Sequence, residues 1–338
     1  MHKSYFVKLH KNVCYSLCVM LLALSLTGCS SPEQGPATLG SSPLTESQSA
    51  THTSTGSKAA DTSADTKGTR DNTPVCLTPI ADGIVTDGNE FVSLDLSHIS
   101  DGYFMAKYLG SNAKVKMQVT GPNNVTYTYN LGTSYEVFPF AAGNGTYAIG
   151  VHENISGTQY ATVFSNNFDV AIADEFSPYI YPNQYVNFNS DSQVVTLASE
   201  LAYPANDDLT VVTNIYNYMI SNITYDYDKA TTVATGYIPV VDEILTTQKG
   251  ICFDFASAMA SMLRSQRIPT RLEIGYAGEA YHAWISTYLD EIGWVNGIIE
   301  FDGKNWQLMD PTFAASSSEE SLKDFIGDGS NYVTKYIY

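Results

Sequence analysis

The chain has 338 residues, 44% of them hydrophobic, with 17 Lys and Arg against 35 Asp and Glu. That composition is globular rather than fibrous or disordered, and the length exceeds what one compact domain commonly uses. A formal charge of −18 repels polyphosphates, which excludes nucleic acid as a natural partner. The five cysteines form no C-x-x-C pair and only Cys76 and Cys252 lie beyond position 29, so neither a disulfide framework nor a thiolate zinc site is expected.

Residues 1–12 carry Lys3, Lys8 and Lys11 with no acid, and an apolar run from Val13 to Leu26 follows, too short to span a bilayer. A basic head, an apolar middle and a small-residue end describe a secretory signal over 1–28. Leu26-Thr27-Gly28-Cys29 resembles the bacterial lipobox, which implies lipidation of Cys29, export, and folded domains held on the extracytoplasmic side of the membrane. From Ser30 to Thr73, 18 of 44 residues are Ser or Thr and no aromatic occurs, so residues 29–73 read as a flexible stalk. Its random-coil reach is about 35–40 Å.

From 74 to 175 the pattern is short alternating runs broken by Gly, Asn and Pro. Strands are expected at Phe91–Leu96, Tyr103–Tyr108, Val115–Thr120, Val125–Leu131, Thr146–His152, Tyr160–Phe164 and Phe168–Ile172, with a hairpin turn at Gly121-Pro122-Asn123-Asn124. This predicts an all-β, immunoglobulin-like sandwich. Asp82-Gly83 and Asp87-Gly88-Asn89-Glu90 read as turn chemistry rather than a calcium loop, and His98 and His152 as structural residues. Glu175 to Asn189, rich in Tyr, Phe, Pro and Asn, is an extended connection.

Beyond it the period changes to 3.6. Helices are predicted at Ser192–Leu201, Leu209–Ile220 with Asn206 to Asp208 as its cap, Val241–Gln248 and Cys252–Gln266. Strands follow at Thr270–Tyr276, His282–Tyr288, Gly297–Phe301 and Asn305–Met309, which makes residues 176–338 an α+β domain.

That second region holds one cysteine, Cys252, and one histidine, His282. Cys252 opens a helix, where N-terminal amides and the helix dipole favour a thiolate nucleophile; Gly250 would let a substrate carbonyl approach, and the Cys252 amide could donate to the oxyanion. Asp254 reads as a capping acid of the first turn. His282 shares a strand face with Trp284. Asp310 closes a strand and could orient the imidazole in a nucleophile, base and orienter arrangement.

Gly250-Ile251-Cys252-Phe253-Asp254-Phe255-Ala256, then Tyr281-His282-Ala283-Trp284, then Trp306 with Met309-Asp310-Pro311-Thr312-Phe313, resemble in order and spacing the three signature segments of the bacterial transglutaminase-like superfamily. The resemblance covers about Asn189 to Phe313. It implies a papain-like core with Cys252 as nucleophile, His282 as general base and acid, and Asp310 as the third member of a catalytic triad. Without the added β-domains and calcium sites of animal transglutaminases, metal-activated cross-linking does not carry over, and no metal or cofactor is expected. The second oxyanion donor stays open between Tyr237, Gln248 and Asn217. The expected activity is a surface peptidase or amidase acting on a protein, peptide or cell-wall peptide through a thioester; the alternatives are cross-linking to an amine acceptor and a non-catalytic binding or scaffolding lipoprotein. Cys76 reads as a free or packing cysteine, since pairing with Cys252 would extinguish the nucleophile.

Overall fold

The computed structural model describes residues 66–290, 292–296, 298–301, 306–309 and 332–338. The signal segment, Cys29, most of the expected stalk and Asp310 lie outside these residues.

Eight strands form the first region: β1 (Thr86–Gly88), β2 (Val92–Asp95), β3 (Tyr103–Tyr108), β4 (Val115–Thr120), β5 (Thr126–Asn130), β6 (Glu136–Pro139), β7 (Gly145–Ser156) and β8 (Gln159–Val170). They make two antiparallel sheets, ordered β1-β2-β3-β6 and β5-β4-β7-β8. Alternation drives the burial: Val115, Met117 and Val119 of β4 face inward, while Lys116, Gln118 and Thr120 face out. Aromatic rings fill the space between the sheets, with Phe104 of β3 at 6.4 Å from Phe168 of β8 and Phe138 of β6 at 4.8 Å from Tyr129 of β5. The β4–β5 hairpin turns at Asn124, whose φ of 60° is in the left-handed region that Asn tolerates.

The sandwich departs from the sequence pattern in three places. The run Tyr160–Phe164 and the first three residues of Phe168–Ile172 belong to one strand, β8, which ends at Val170 and whose register slips opposite Val151 and His152. Strands β1 and β6 are additional, each short. Two of the turn acids are occupied by turn hydrogen bonds: Asp82 accepts from the Ile84 amide at 3.2 Å, and Asp87 from the Gly88 amide and the Asn166 side chain. His98 is clamped, with Nδ1 2.8 Å from Asp101 and Nε2 3.2 Å from Asp82. The Asp101 hydrogen bond, then the charges of Asp82 and Asp101, raise its pKa against the opposing pull of burial.

The second region begins with α1 (Gln193–Ala202) and α2 (Asp208–Asn222), whose N-cap Asp207 accepts from the Thr210 amide at 2.7 Å. There follow β9 (Thr224–Tyr225), α3 (Tyr227–Thr232), α4 (Glu243–Thr247), β10 (Lys249–Gly250) and α5 (Cys252–Ser265). Then come β11 (Thr270–Ala277), β12 (Ala280–Leu289), β13 (Gly293–Asn296), β14 (Ile298–Phe301), β15 (Trp306–Met309) and β16 (Tyr332–Ile337). The main sheet is antiparallel in the order β13-β12-β11-β16; β14 and β15 pair separately, and β9 with β10 in parallel. Helix α5 is buried on nearly every side, against β11, β12, α1 and α2.

The described residues, from 66 onward, belong to one compact unit, and a single apolar core runs from Val92 to Tyr338. The middle of the connection from 175 to 190, including Tyr179, Asn183, Gln184, Val186 and Phe188, is buried. Tyr179 Oη donates to the Ala141 carbonyl, Gln184 Nε2 to the Asn130 carbonyl, and Ser257 Oγ of α5 to the Tyr185 carbonyl.

The expected stalk also ends earlier than Thr73. The Gly68 amide donates to the Tyr203 carbonyl at 2.8 Å, Asn72 Nδ2 to the Ser199 carbonyl at 3.0 Å, and the Val75 amide to the Ser265 carbonyl at 2.8 Å. Arg70 pairs with Asp208. These contacts satisfy carbonyls at the ends of α1 and α5 that have no partner within their own helices. Docking by polar backbone groups leaves no apolar pattern in a Ser/Thr-rich segment, so composition alone places the boundary too late.

Candidate active site

Cys252 is the first residue of α5, where the chain leaves β10 and turns into the core. Gly250 has a reason different from the expected substrate approach. A Cβ there would stand 2.8 Å from Ile244 Cδ1 and 2.9 Å from Asp254 Cβ, so the glycine lets α4 and α5 close on one another.

Asp254 is 5% exposed and organises the start of α5. Its Oδ2 accepts from the Ile251 amide at 2.8 Å and lies 2.8 Å from Lys229 Nζ; its Oδ1 accepts from Tyr237 Oη at 2.6 Å. Lys229 Nζ donates in turn to Tyr237 Oη at 2.8 Å. Burial, then the Asp254 carboxylate, push the Tyr237 phenol up to about 12. Burial lowers the Lys229 pKa, but the hydrogen bonds to Asp254 and Tyr237 outweigh it and the net direction is upward. This triangle ties α3 and the following loop to the helix that carries Cys252.

The triangle also bears on the oxyanion donor. Tyr237 already gives its proton to Asp254 and is not free to donate to a substrate oxygen. Asn217 is exposed on α2 and Gln248 is the left-handed C-cap of α4; neither lines the cleft described below.

His282 lies on β12 opposite Gly275 of β11. It is 6% exposed, its ring stacks on Trp284 at 6.2 Å, and Tyr332 of β16 stands 6.5 Å away. The alternation that puts His282 and Trp284 on one face therefore holds in three dimensions. Strand β15 ends at Met309, immediately before Asp310, which lies outside the described residues.

Cys252 and His282 open into one cleft of about 540 Å³. Its walls are aromatic, including Tyr185, Tyr225, Phe253, Tyr281 and Tyr336. Tyr281 is 60% exposed at the mouth, and burial first, then Tyr336, Tyr276 and Cys252, raise its pKa. The sandwich supplies the remaining wall, through Lys116, Thr128 and Asn130. Sequence reasoning placed no site residue in the sandwich, and no local signal marks one: these residues read as the polar face of two strands. Cys76 is a separate free thiol, so Cys252 is unpaired. Among the described residues no group of three or more His, Cys, Asp or Glu side chains could hold a metal ion, and no helix is long and apolar enough to cross a membrane.

The sequence pattern of the Transglutaminase-like superfamily matches residues 195–297, a stretch that contains Cys252 and His282 and ends before Asp310. An uncharacterised Bacillus subtilis protein, YebA, is 26% identical over 176 residues, or 46% of this chain and 23% of its own length. A protein-glutamine gamma-glutamyltransferase of Pseudomonas aeruginosa is 29% identical over 116 residues, or 30% of this chain and 16% of its own. The chain thus spans less than a quarter of each of these two relatives. Among solved structures, the periplasmic domain of TgpA from Pseudomonas aeruginosa aligns with 64% of this chain and 94% of its own, at 15% identity and a TM-score of 0.32. Residues 195–297, with Cys252 at the head of α5 and His282 on β12, therefore make a transglutaminase-like domain.

Proposed function

We propose that the protein is a cysteine acyl-transfer enzyme acting on amide bonds of protein, peptide or cell-wall peptide substrates, with hydrolysis as its main reaction. The observation that carries this reading is the opening of Cys252 and His282 into one aromatic-walled cleft. In the proposed cycle the Cys252 sulfur attacks the amide carbonyl carbon while His282 takes the thiol proton. The tetrahedral intermediate collapses, the C–N bond breaks, and His282 passes that proton to the leaving amine. Water then attacks the thioester with His282 as base and releases the carboxylic acid, returning the proton to sulfur. Asp310 holds the imidazole in the required tautomer. Water is the default acceptor unless a site excludes it, and the exposure of Tyr281 at the mouth supports an open site.

Transfer to an amine is the second reading, favoured by the similarity to the gamma-glutamyltransferase. The purified chain, incubated with a peptide library with and without a primary amine and followed by mass spectrometry, separates the two. Hydrolysed peptides in both conditions support the first reading; amine adducts replace it with the second; no Cys252-dependent product removes both.

We further propose export and anchoring through lipid on Cys29, supported by the basic and apolar leader before Leu26-Thr27-Gly28. In a bacterial host the chain should label with fatty acid and Cys29→Ala should not; equal labelling would end this reading.

A further inference from the structure

We propose that the β-sandwich is the substrate-selecting wall of the cleft, and that Lys116 receives a carboxylate of the peptide that Cys252 attacks. The inference rests on the acyl-transfer reading for the identity of the ligand as substrate, while the recognition itself rests on the cleft.

Lys116 of β4 and Asn130 of β5 are direct cross-strand partners on the outward face of the second sheet. Strand β5 is the edge of that sheet and abuts the second region: Tyr127 lies 5.6 Å from Tyr336, and Tyr129 lies 6.0 Å from Tyr338. Asn130 Nδ2 reaches the Gly236 carbonyl, next to the Tyr237 that is locked to α5. The wall is therefore fixed relative to Cys252 through packed rings and hydrogen bonds.

Among the described residues, Lys116 is the one lysine or arginine that lines this cleft, and no Asp or Glu does. Its Nζ donates to Asn130 Oδ1, a neutral oxygen that orients the ammonium and leaves two of its three donors for other partners. Among the described residues no carboxylate pairs with Lys116. Glu136, which lines an adjoining pocket together with Lys116 and Asn130, accepts from the Gly132 amide and from Gln184 Nε2. An ammonium without a carboxylate partner among the described residues, held in an aromatic cleft, attracts an anionic group locally against the repulsion of a chain of net charge −18, and disfavours a cationic one.

The test uses the full chain carrying Cys252→Ala and a set of blocked pentapeptides with one glutamate at successive positions, each against its glutamine counterpart, in calorimetric titrations at low and high salt. At least one glutamate peptide should bind about tenfold tighter than its counterpart, the scale of a charge-assisted hydrogen bond weakened by partial exposure. Lys116→Gln should erase the difference, Lys116→Glu should reverse it toward a lysine-bearing peptide, and salt should diminish it. Equal binding within every pair, binding of none, or a preference that survives Lys116→Gln overturns the proposal. Turnover by the unsubstituted chain is measured separately. A Lys116-dependent preference without turnover keeps the recognition site and removes the enzyme reading.

Discussion

Iodoacetamide should modify Cys252 faster than Cys76, and the difference should depend on His282. Cys76 is half-buried, and burial raises its thiol pKa, so it serves as a slow reference within the same chain. Cys252 heads α5 and opens into the cleft with His282. The reacting species is the thiolate, and an imidazole that accepts the thiol proton both supplies it and remains beside it as a cation. His282→Ala should therefore slow alkylation, and should reduce turnover of any substrate found by about 10²–10⁴-fold, the range for loss of a positioned general acid and base. Asp310→Ala should cost less than His282→Ala, because an orienting carboxylate acts through the ring. Cys252→Ala should abolish turnover. Circular dichroism must first show each variant folded. A Cys252 that reacts only on denaturation, or at a rate indifferent to His282, would leave a transglutaminase-like fold used for binding.

What could be read from the sequence follows periodicity and short-range chemistry. The alternation of Val115, Met117 and Val119, the turn at Asn124, the Asp207 cap and the placement of Cys252 at a helix start are all local, and each stands in the structure as expected. The pairing of His282 with Trp284 on one face follows from strand alternation in the same way. Strand β16 was not among the expected strands, although Tyr332-Val333-Thr334-Lys335-Tyr336-Ile337 is rich in β-formers, and nothing local says that it lies beside β11 and brings Tyr336 and Tyr338 to the cleft. Contacts between distant segments leave no such trace. Gly250 is explained by the approach of Ile244 and Asp254, Tyr237 by its bond to Asp254, and Lys116 by a cleft that forms only when the sandwich meets the second region. The docking of residues 68–73 was hidden for a related reason: it is made by backbone amides and polar side chains, which carry no hydrophobic period.

Arg264 should give the largest stability effect of any single polar side chain described here. It sits fully buried in the last turn of α5, and its guanidinium donates to three carbonyls: Thr270 at 2.9 Å, Tyr181 at 2.7 Å and Tyr338 at 2.8 Å. Those oxygens belong to the start of β11, to the connection from the sandwich and to the residue after β16, so one planar fork ties together the helix of Cys252 and both walls of its cleft. Among the described residues no carboxylate neutralises it; carbonyl dipoles and the C-terminal end of α5 do so instead. Burial lowers its pKa to about 9, which still leaves it protonated at neutral pH. Arg264→Met keeps most of the apolar stem but removes all three donors. The Tyr338 carbonyl retains the Leu272 amide at 3.0 Å, so the main cost falls on Thr270 and Tyr181. Two buried carbonyls left without a donor, less the relief of a buried charge, give a loss of about 3 kcal/mol. For a unit of this size that lowers Tm by about 5 °C. Arg264→Lys keeps the charge but not the fork and should lose less. Thermal and denaturant unfolding measure both, and a methionine variant within about 1 kcal/mol of the parent would show that the three carbonyls find other partners and that the fork does not hold the cleft together.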